Sequence, residues 1–114
     1  MQSESRPGVD ALTYGLREGR EYGTSNVASL RRAIDDLSMT GGTILIPAGR
    51  YEIAVPISLK VRTDERCGNS IAIVGKGRTV LVTRGDSVFA VVRTDSAQLS
   101  RITFRDLELH GNLG

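Results

Sequence analysis

The chain has 114 residues and a formal net charge of +2, from 15 Lys+Arg against 13 Asp+Glu. That length allows one domain, and a hydrophobic fraction of 39% with 25% charged residues excludes wholesale disorder. The apolar runs fall far short of the roughly 20 residues that span a bilayer, and the basic residues are scattered among acidic ones, so we expect neither a membrane nor a nucleic-acid partner. A lone Cys67 cannot form an internal disulfide, and we interpret it as an unpaired loop thiol.

Residues 1–23 form a polar lead-in rich in glycine and charge, without the apolar core of a secretory leader. Residues 24–114 carry the regular patterns and are treated as one body. Thr24, Ser25 and Asn26 are competent N-cap residues, and Gly41-Gly42 supplies the backbone freedom that ends a helix. Between them an apolar stripe at helical spacing predicts an amphipathic helix over Asn26–Met39. The stripe comprises Val27, Leu30, Ala33, Ile34 and Leu37.

From Thr43 onward the apolar period is two, which indicates short strands separated by tight breaks. The alternating apolar positions are Ile44/Ile46, Tyr51/Ile53, Ile57/Leu59/Val61, Ile71/Ile73, Val80/Val82, Val88/Ala90/Val92, Ile102/Phe104 and Leu107/Leu109. The short breaks are Pro47-Ala48-Gly49, Gly75-Lys76-Gly77, Thr83-Arg84-Gly85-Asp86 and Arg105-Asp106.

Two all-β folds fit this pattern. One is a right-handed parallel β-helix, a solenoid of about three coils, in which the predicted helix caps the first coil. Arg105-Asp106 favours the β-helix, because the alternation of apolar residues shifts there by one position. Such a shift is expected at a corner between two strands of one coil. The other is a small antiparallel β-sandwich, in which Gly85-Asp86 forms a hairpin loop between Val80–Thr83 and Ser87–Val92.

The segment Gly41–Tyr51 reads Gly-Gly-Thr-Ile-Leu-Ile-Pro-Ala-Gly-Arg-Tyr and follows the helix directly. Ile71–Gly77 places a Gly-x-Gly turn after a strand, and Ile102–Asn112 joins an apolar strand to Asp-Leu and His-Gly-Asn. In this order these motifs resemble the N-terminal portion of the pectate lyase superfamily, in particular the rhamnogalacturonase/epimerase-like, pectin lyase-like domains. The Gly-Asp-Gly turn typical of that family is replaced here by Arg17–Gly23.

The resemblance implies a right-handed parallel β-helix that acts on polysaccharides as a lyase, glycoside hydrolase or epimerase. We therefore expect the N-terminal segment of a carbohydrate-active protein, inactive by itself. The alternative is a structural or receptor-binding module such as a phage tailspike segment. A polysaccharide partner, Ca²⁺ as a cofactor, and an extracellular or virion location follow from the resemblance alone.

About 72 residues follow Gly42, which is near the minimum of about three repeats for a stable solenoid. We therefore expect a domain truncated at its C-terminus. Its open end would bind missing C-terminal coils or a second copy of the chain.

The candidate site residues are Asp106, Glu108 and His110. Sugar-polymer chemistry needs carboxylates or a base facing one sugar, and with Leu107 and Leu109 inward, Glu108 and His110 share an outward face. The competing interpretation is an ordinary solvated strand end. No metal-ligand spacing is present, and Gly75–Thr79 lacks the spacing of a phosphate-binding loop.

Overall fold

The computed structural model describes residues 8–62, 69–83, 87–94, 97 and 99–111. Cys67 and the predicted Gly85-Asp86 loop lie outside the described residues. The described chain forms the α-helix α1 (Gly23–Ser38) and two short 3-10 helices, Ala11–Tyr14 and Arg20–Tyr22. It also forms the strands β1 (Gly8–Asp10), β2 (Gly42–Glu52), β3 (Ile57–Val61), β4 (Asn69–Val82), β5 (Phe89–Arg93) and β6 (Leu99–His110).

These strands form one open sheet in the order β1-β2-β4-β6-β3-β5, and each pairing among the described residues is parallel. Strands β2, β4 and β6 lie side by side over most of their lengths. Strand β3 pairs with β5 along its whole length, but among the described residues it meets β6 only where Val61 lies opposite Leu99. Among the described residues, therefore, almost none of the side of β6 that faces away from β4 is paired with a strand, and we call this side the free edge of β6.

Both predicted folds are wrong. The chain is not the expected all-β solenoid of about three coils with a capping helix, because it is a compact globule in which one open six-stranded sheet packs with a helix. Of the described residues, 54% are in strands and 25% are in helices. It is not an antiparallel sandwich either, because β4 and β5 do not pair and the described pairings are parallel. Apolar alternation tells which face of a strand is buried, whereas strand order depends on pairing between distant segments.

The predicted breaks at Pro47-Ala48-Gly49, Gly75-Lys76-Gly77 and Arg105-Asp106 are bends inside continuous strands. The register shifts between Pro47 and Gly49 in β2, and between Val74 and Thr79 in β4. Gly77 and Asp106 have left-handed backbone conformations, with φ of +92° and +58°. Pairing is interrupted at each bend and resumes beyond it, which explains why three strands are 11, 14 and 12 residues long.

The core lies between the inward face of the sheet and α1. The predicted apolar stripe of the helix is confirmed, since all five of its side chains are buried. They join the inward side chains of β2, β3 and β4 in one apolar cluster, whose largest fully buried members include Leu30, Ile44, Ile46, Ile57, Leu59, Ile71, Ile73 and Leu81.

Asn26 is a tertiary anchor rather than the predicted helix cap. The helix begins three residues earlier than expected, at Gly23, and has no side-chain cap. The Asn26 side chain is fully buried; its Oδ1 accepts from the Arg17 N–H at 2.9 Å, and its Nδ2 donates to the carbonyls of Arg17 and Glu52 at 2.8 and 3.0 Å. This one side chain therefore joins the segment before α1 to the end of β2.

Candidate functional site

Charged side chains of β2, β4 and β6 lie close together on the outward face of the sheet. The parallel register places Arg50 beside Val80 and Val80 beside Glu108, in one row across the three strands. The next outward row contains Glu52, Val82 and His110. Two apolar side chains of β4 therefore lie between charged side chains of β2 and β6.

A cleft of about 460 Å³ opens on this face, and we call it the cationic cleft. No acidic residue is found among the described residues that line it. The lining residues are Gly49, Arg50, Arg78, Val80, Val82 and His110. Two guanidinium groups and an imidazole thus surround an apolar floor.

Two carboxylates orient the arginines from beside the cleft. Arg78 Nε donates to Glu108 Oε2 at 3.0 Å, and Arg50 Nε lies 4.0 Å from Glu52 Oε2. The side chains of Arg78 and Arg50 are 80% and 64% exposed. Ion pairs this exposed contribute little to stability, so they restrict the guanidinium groups without preventing them from binding a ligand.

The bend of β2 positions Arg50. The backbone N–H of Arg50 donates to Glu18 Oε1 at 2.9 Å. The hydroxyl of Tyr51, which points to the core side, donates to the Pro47 carbonyl at 3.1 Å. Burial, followed by the nearby charges of Glu18 and Asp10, raises the pKa of the Tyr51 phenol, so this hydroxyl keeps its proton as a donor.

The structure brings together two of the three predicted site residues. His110 Nε2 lies 3.4 Å from Glu108 Oε1, on the predicted shared outward face. The hydrogen bond from Arg78, followed by that from His110, lowers the pKa of the Glu108 carboxyl below its ordinary value. Asp106 is exposed at the bend of β6, and in the described part of the chain it makes no side-chain hydrogen bond or ion pair.

The sequence analysis missed Arg50 and Arg78, the two residues that give the cleft its charge. Alternation around Tyr51 places Arg50 on the outward face, and this signal was available in the sequence. Arg78 directly follows Gly75-Lys76-Gly77, which was interpreted only as a break between strands. Neither residue could be assigned to a common site without the register of β2 against β4.

Among the residues that the structure describes, no group of three or more His, Cys, Asp or Glu side chains could hold a metal ion. The two carboxylates beside the cleft face arginines, whereas Ca²⁺ takes six to eight oxygen ligands. The site therefore does not fit the Ca²⁺ that the resemblance implies.

No helix in the described ranges has the length and apolar character needed to cross a membrane. Comparisons with protein-family models, with curated proteins and with solved structures gave no match to this chain.

Proposed function

We propose that the cationic cleft binds the carboxylate groups of an acidic polysaccharide, and that the chain is a non-catalytic binding segment of a carbohydrate-active protein. The observation that carries this proposal is that Arg50 of β2 and Arg78 of β4 line one cleft together with Val80. A guanidinium presents a planar fork of donors that matches a carboxylate in two parallel hydrogen bonds. The polymer class is the expectation from the motifs that resemble the pectate lyase superfamily, and the fold, which differs from the β-helix of that superfamily, does not add to it.

The shape of the site supports an extended ligand. The cleft opens on the outward surface of a sheet and is not enclosed, so it can hold one unit of a longer chain of sugars. Val80, which is half-buried, offers an apolar surface to the carbon-bound hydrogens of a sugar ring, and His110 adds a hydrogen-bonding group to the lining of the cleft.

The electrostatics of Glu108 support binding rather than cleavage. A glycosidase needs one carboxyl group with a raised pKa to protonate the leaving group. The pKa of Glu108 is instead lowered by Arg78 and His110, so this carboxylate stays ionised at neutral pH. We therefore assign Glu108 the role of orienting Arg78.

Binding can be measured by isothermal titration calorimetry with oligogalacturonate and oligoalginate, and with an uncharged maltooligosaccharide for comparison. We expect binding of the two acidic ligands only, weakening as salt is added. Arg50→Gln and Arg78→Gln should each reduce the affinity about ten-fold, because each removes a hydrogen bond to a charged group. Chelation of divalent cations should leave the affinity unchanged.

Arg31→Gln is the matched control, since Arg31 is exposed on α1 and lies outside the cationic cleft. It removes the same charge and should leave the affinity unchanged. Equal binding of the neutral oligosaccharide, or full affinity in both cleft variants, would refute the proposed site. Release of unsaturated products from pectin or alginate would refute its non-catalytic character.

A further inference from the structure

The free edge of β6 exposes apolar side chains whose neighbours on β4 are fully buried. Ile71, Ile73 and Leu81 of β4 are at most 1% exposed. Their register partners on β6 are Ile102, Phe104 and Leu109, respectively. The first two are only half-buried and Leu109 is 47% exposed, because the described residues provide no strand beyond β6 at these positions.

The apolar and polar residues of this edge are arranged symmetrically along the sequence. Residues 101–110 read Arg-Ile-Thr-Phe-Arg-Asp-Leu-Glu-Leu-His, and the apolar positions 102, 104, 107 and 109 are arranged symmetrically about the 105–106 bond. This symmetry arises at the bend at Asp106. Apolar residues occupy even positions before the bend and odd positions after it, while the strand itself continues. The inward residues on both sides of the bend therefore face the same side of the sheet.

Consider a second β6 strand paired antiparallel with this edge, so that the 105–106 bonds of the two strands lie opposite each other. In this register, apolar residues lie opposite apolar residues and opposite charges lie opposite each other. Ile102 then lies opposite Leu109 of the second copy, and Phe104 lies opposite Leu107. Arg105 of each copy lies opposite Asp106 of the other, so two pairs of opposite charge form across the symmetry axis. Cross-strand pairs of both kinds stabilise an antiparallel sheet.

We propose that two copies of the chain associate through β6, which pairs antiparallel with β6 of the second copy about a two-fold axis at the 105–106 bond. The sheet then continues from one molecule into the other, and the exposed apolar side chains of β6 become covered. Because the same surface is used on both molecules, the contact closes after two copies and does not grow into a filament. The proposal is independent of the ligand of the cationic cleft.

Sedimentation equilibrium of the unmodified chain tests the stoichiometry, and a dimer is expected. Arg105→Glu places like charges opposite each other at two symmetric positions and should weaken dimerisation about ten-fold. Arg31→Glu makes the same charge change on exposed α1 and should leave the dimer intact. A monomer at millimolar concentration, a trimer or an open-ended series would overturn the proposal, as would an Arg105→Glu dimer of unchanged affinity.

Disulfide trapping tests the orientation and the register, in a Cys67→Ser background. The proposed pairing places Thr103 opposite Glu108 of the second copy. Mixed Thr103→Cys and Glu108→Cys proteins should therefore form a crosslinked heterodimer on mild oxidation, whereas each protein alone should not crosslink. Crosslinking of the Thr103→Cys protein by itself, or no crosslinking of the mixture, would overturn the antiparallel register. Both substitutions are at surface positions, and circular dichroism checks that each variant is folded.

Discussion

Arg78 Nε donates a hydrogen bond to Glu108 Oε2 across 3.0 Å, and this contact joins the outward faces of the neighbouring strands β4 and β6. The two residues are 30 positions apart in the chain, and the parallel register brings them together. The same contact orients one guanidinium of the cationic cleft and holds the Glu108 carboxyl in its ionised form.

This contact makes the Glu108 carboxyl sensitive to the charge at position 78. Arg78→Gln should raise the pKa of Glu108 towards its ordinary value, because the hydrogen bond from Arg78 is the largest cause of its depression. The measurement is an NMR titration of the Glu108 side-chain carboxyl in both proteins. Arg31→Gln is the control, and an unchanged Glu108 pKa in Arg78→Gln would contradict the assignment.

The lowered pKa also predicts the direction of a pH effect on stability. A carboxyl whose folded pKa lies below its unfolded pKa stabilises the protein above the unfolded value, and this stabilisation is lost as the pH falls through the folded value. The difference in free energy of unfolding between the original protein and Arg78→Gln should therefore shrink on acidification. Urea denaturation at a series of pH values measures it, and a difference that grows towards low pH would contradict the prediction.

Asn26→Ala should destabilise the fold by about 3 kcal/mol, because it removes a fully buried side chain that makes three hydrogen bonds to the part-buried backbone groups of Arg17 and Glu52. Urea denaturation followed by circular dichroism gives the free energy of unfolding. Thr24→Ala, at an exposed position two residues earlier in α1, is the matched control and should change it little. Equal stability of the two variants would show that Asn26 does not anchor β2.

Thr79 links the bends of β2 and β4, since its buried hydroxyl lies 3.0 and 3.2 Å from the carbonyl oxygens of Ile46 and Pro47. Thr79→Val keeps the shape of the side chain but removes the hydrogen-bond donor. We expect the free energy of unfolding to fall by about 1–2 kcal/mol. Thr43→Val, at a half-buried position on the outward side of β2, is the control and should hardly change the free energy of unfolding. Thermal unfolding of both variants gives the comparison, and an unchanged melting temperature for Thr79→Val would contradict the proposed link.

Gly75 lies where β4 and β6 approach closely at their bends. A Cβ atom at this position would overlap the backbone carbonyl oxygen of Asp106 and would lie 2.8 Å from the Thr79 Cβ. We expect Gly75→Ala to destabilise the protein by about 2 kcal/mol or more, because backbone must move to relieve the overlap. At Gly8 the nearest atom to an added Cβ is 3.9 Å away, so Gly8→Ala is the control. Similar unfolding curves for the two variants would contradict this packing.

Part of the candidate site could be predicted from the sequence. Alternation around Leu107 and Leu109 correctly placed Glu108 and His110 on one outward face, because neighbours at a spacing of two share a face whatever strand lies beside them. The interpretation of Gly75-Lys76-Gly77 as a break between strands concealed Arg78, the next residue, because turn-forming residues mark a change of direction without indicating whether the strand ends there. Asp106, also on the candidate strand, is at the bend and does not join the cluster.

By itself the sequence determined the local structure: the buried stripe of α1, its end near Gly41, and the inward and outward faces of the strands. These features depend on residues within a few positions of one another. Only the tertiary structure decided that the strands form one open parallel sheet, that Arg50 and Arg78 share a cleft, and that β6 has a free edge. The reason is physical, since strand order and register arise from hydrogen bonds and packing between segments about 30 residues apart, and many pairings satisfy the same alternation equally well.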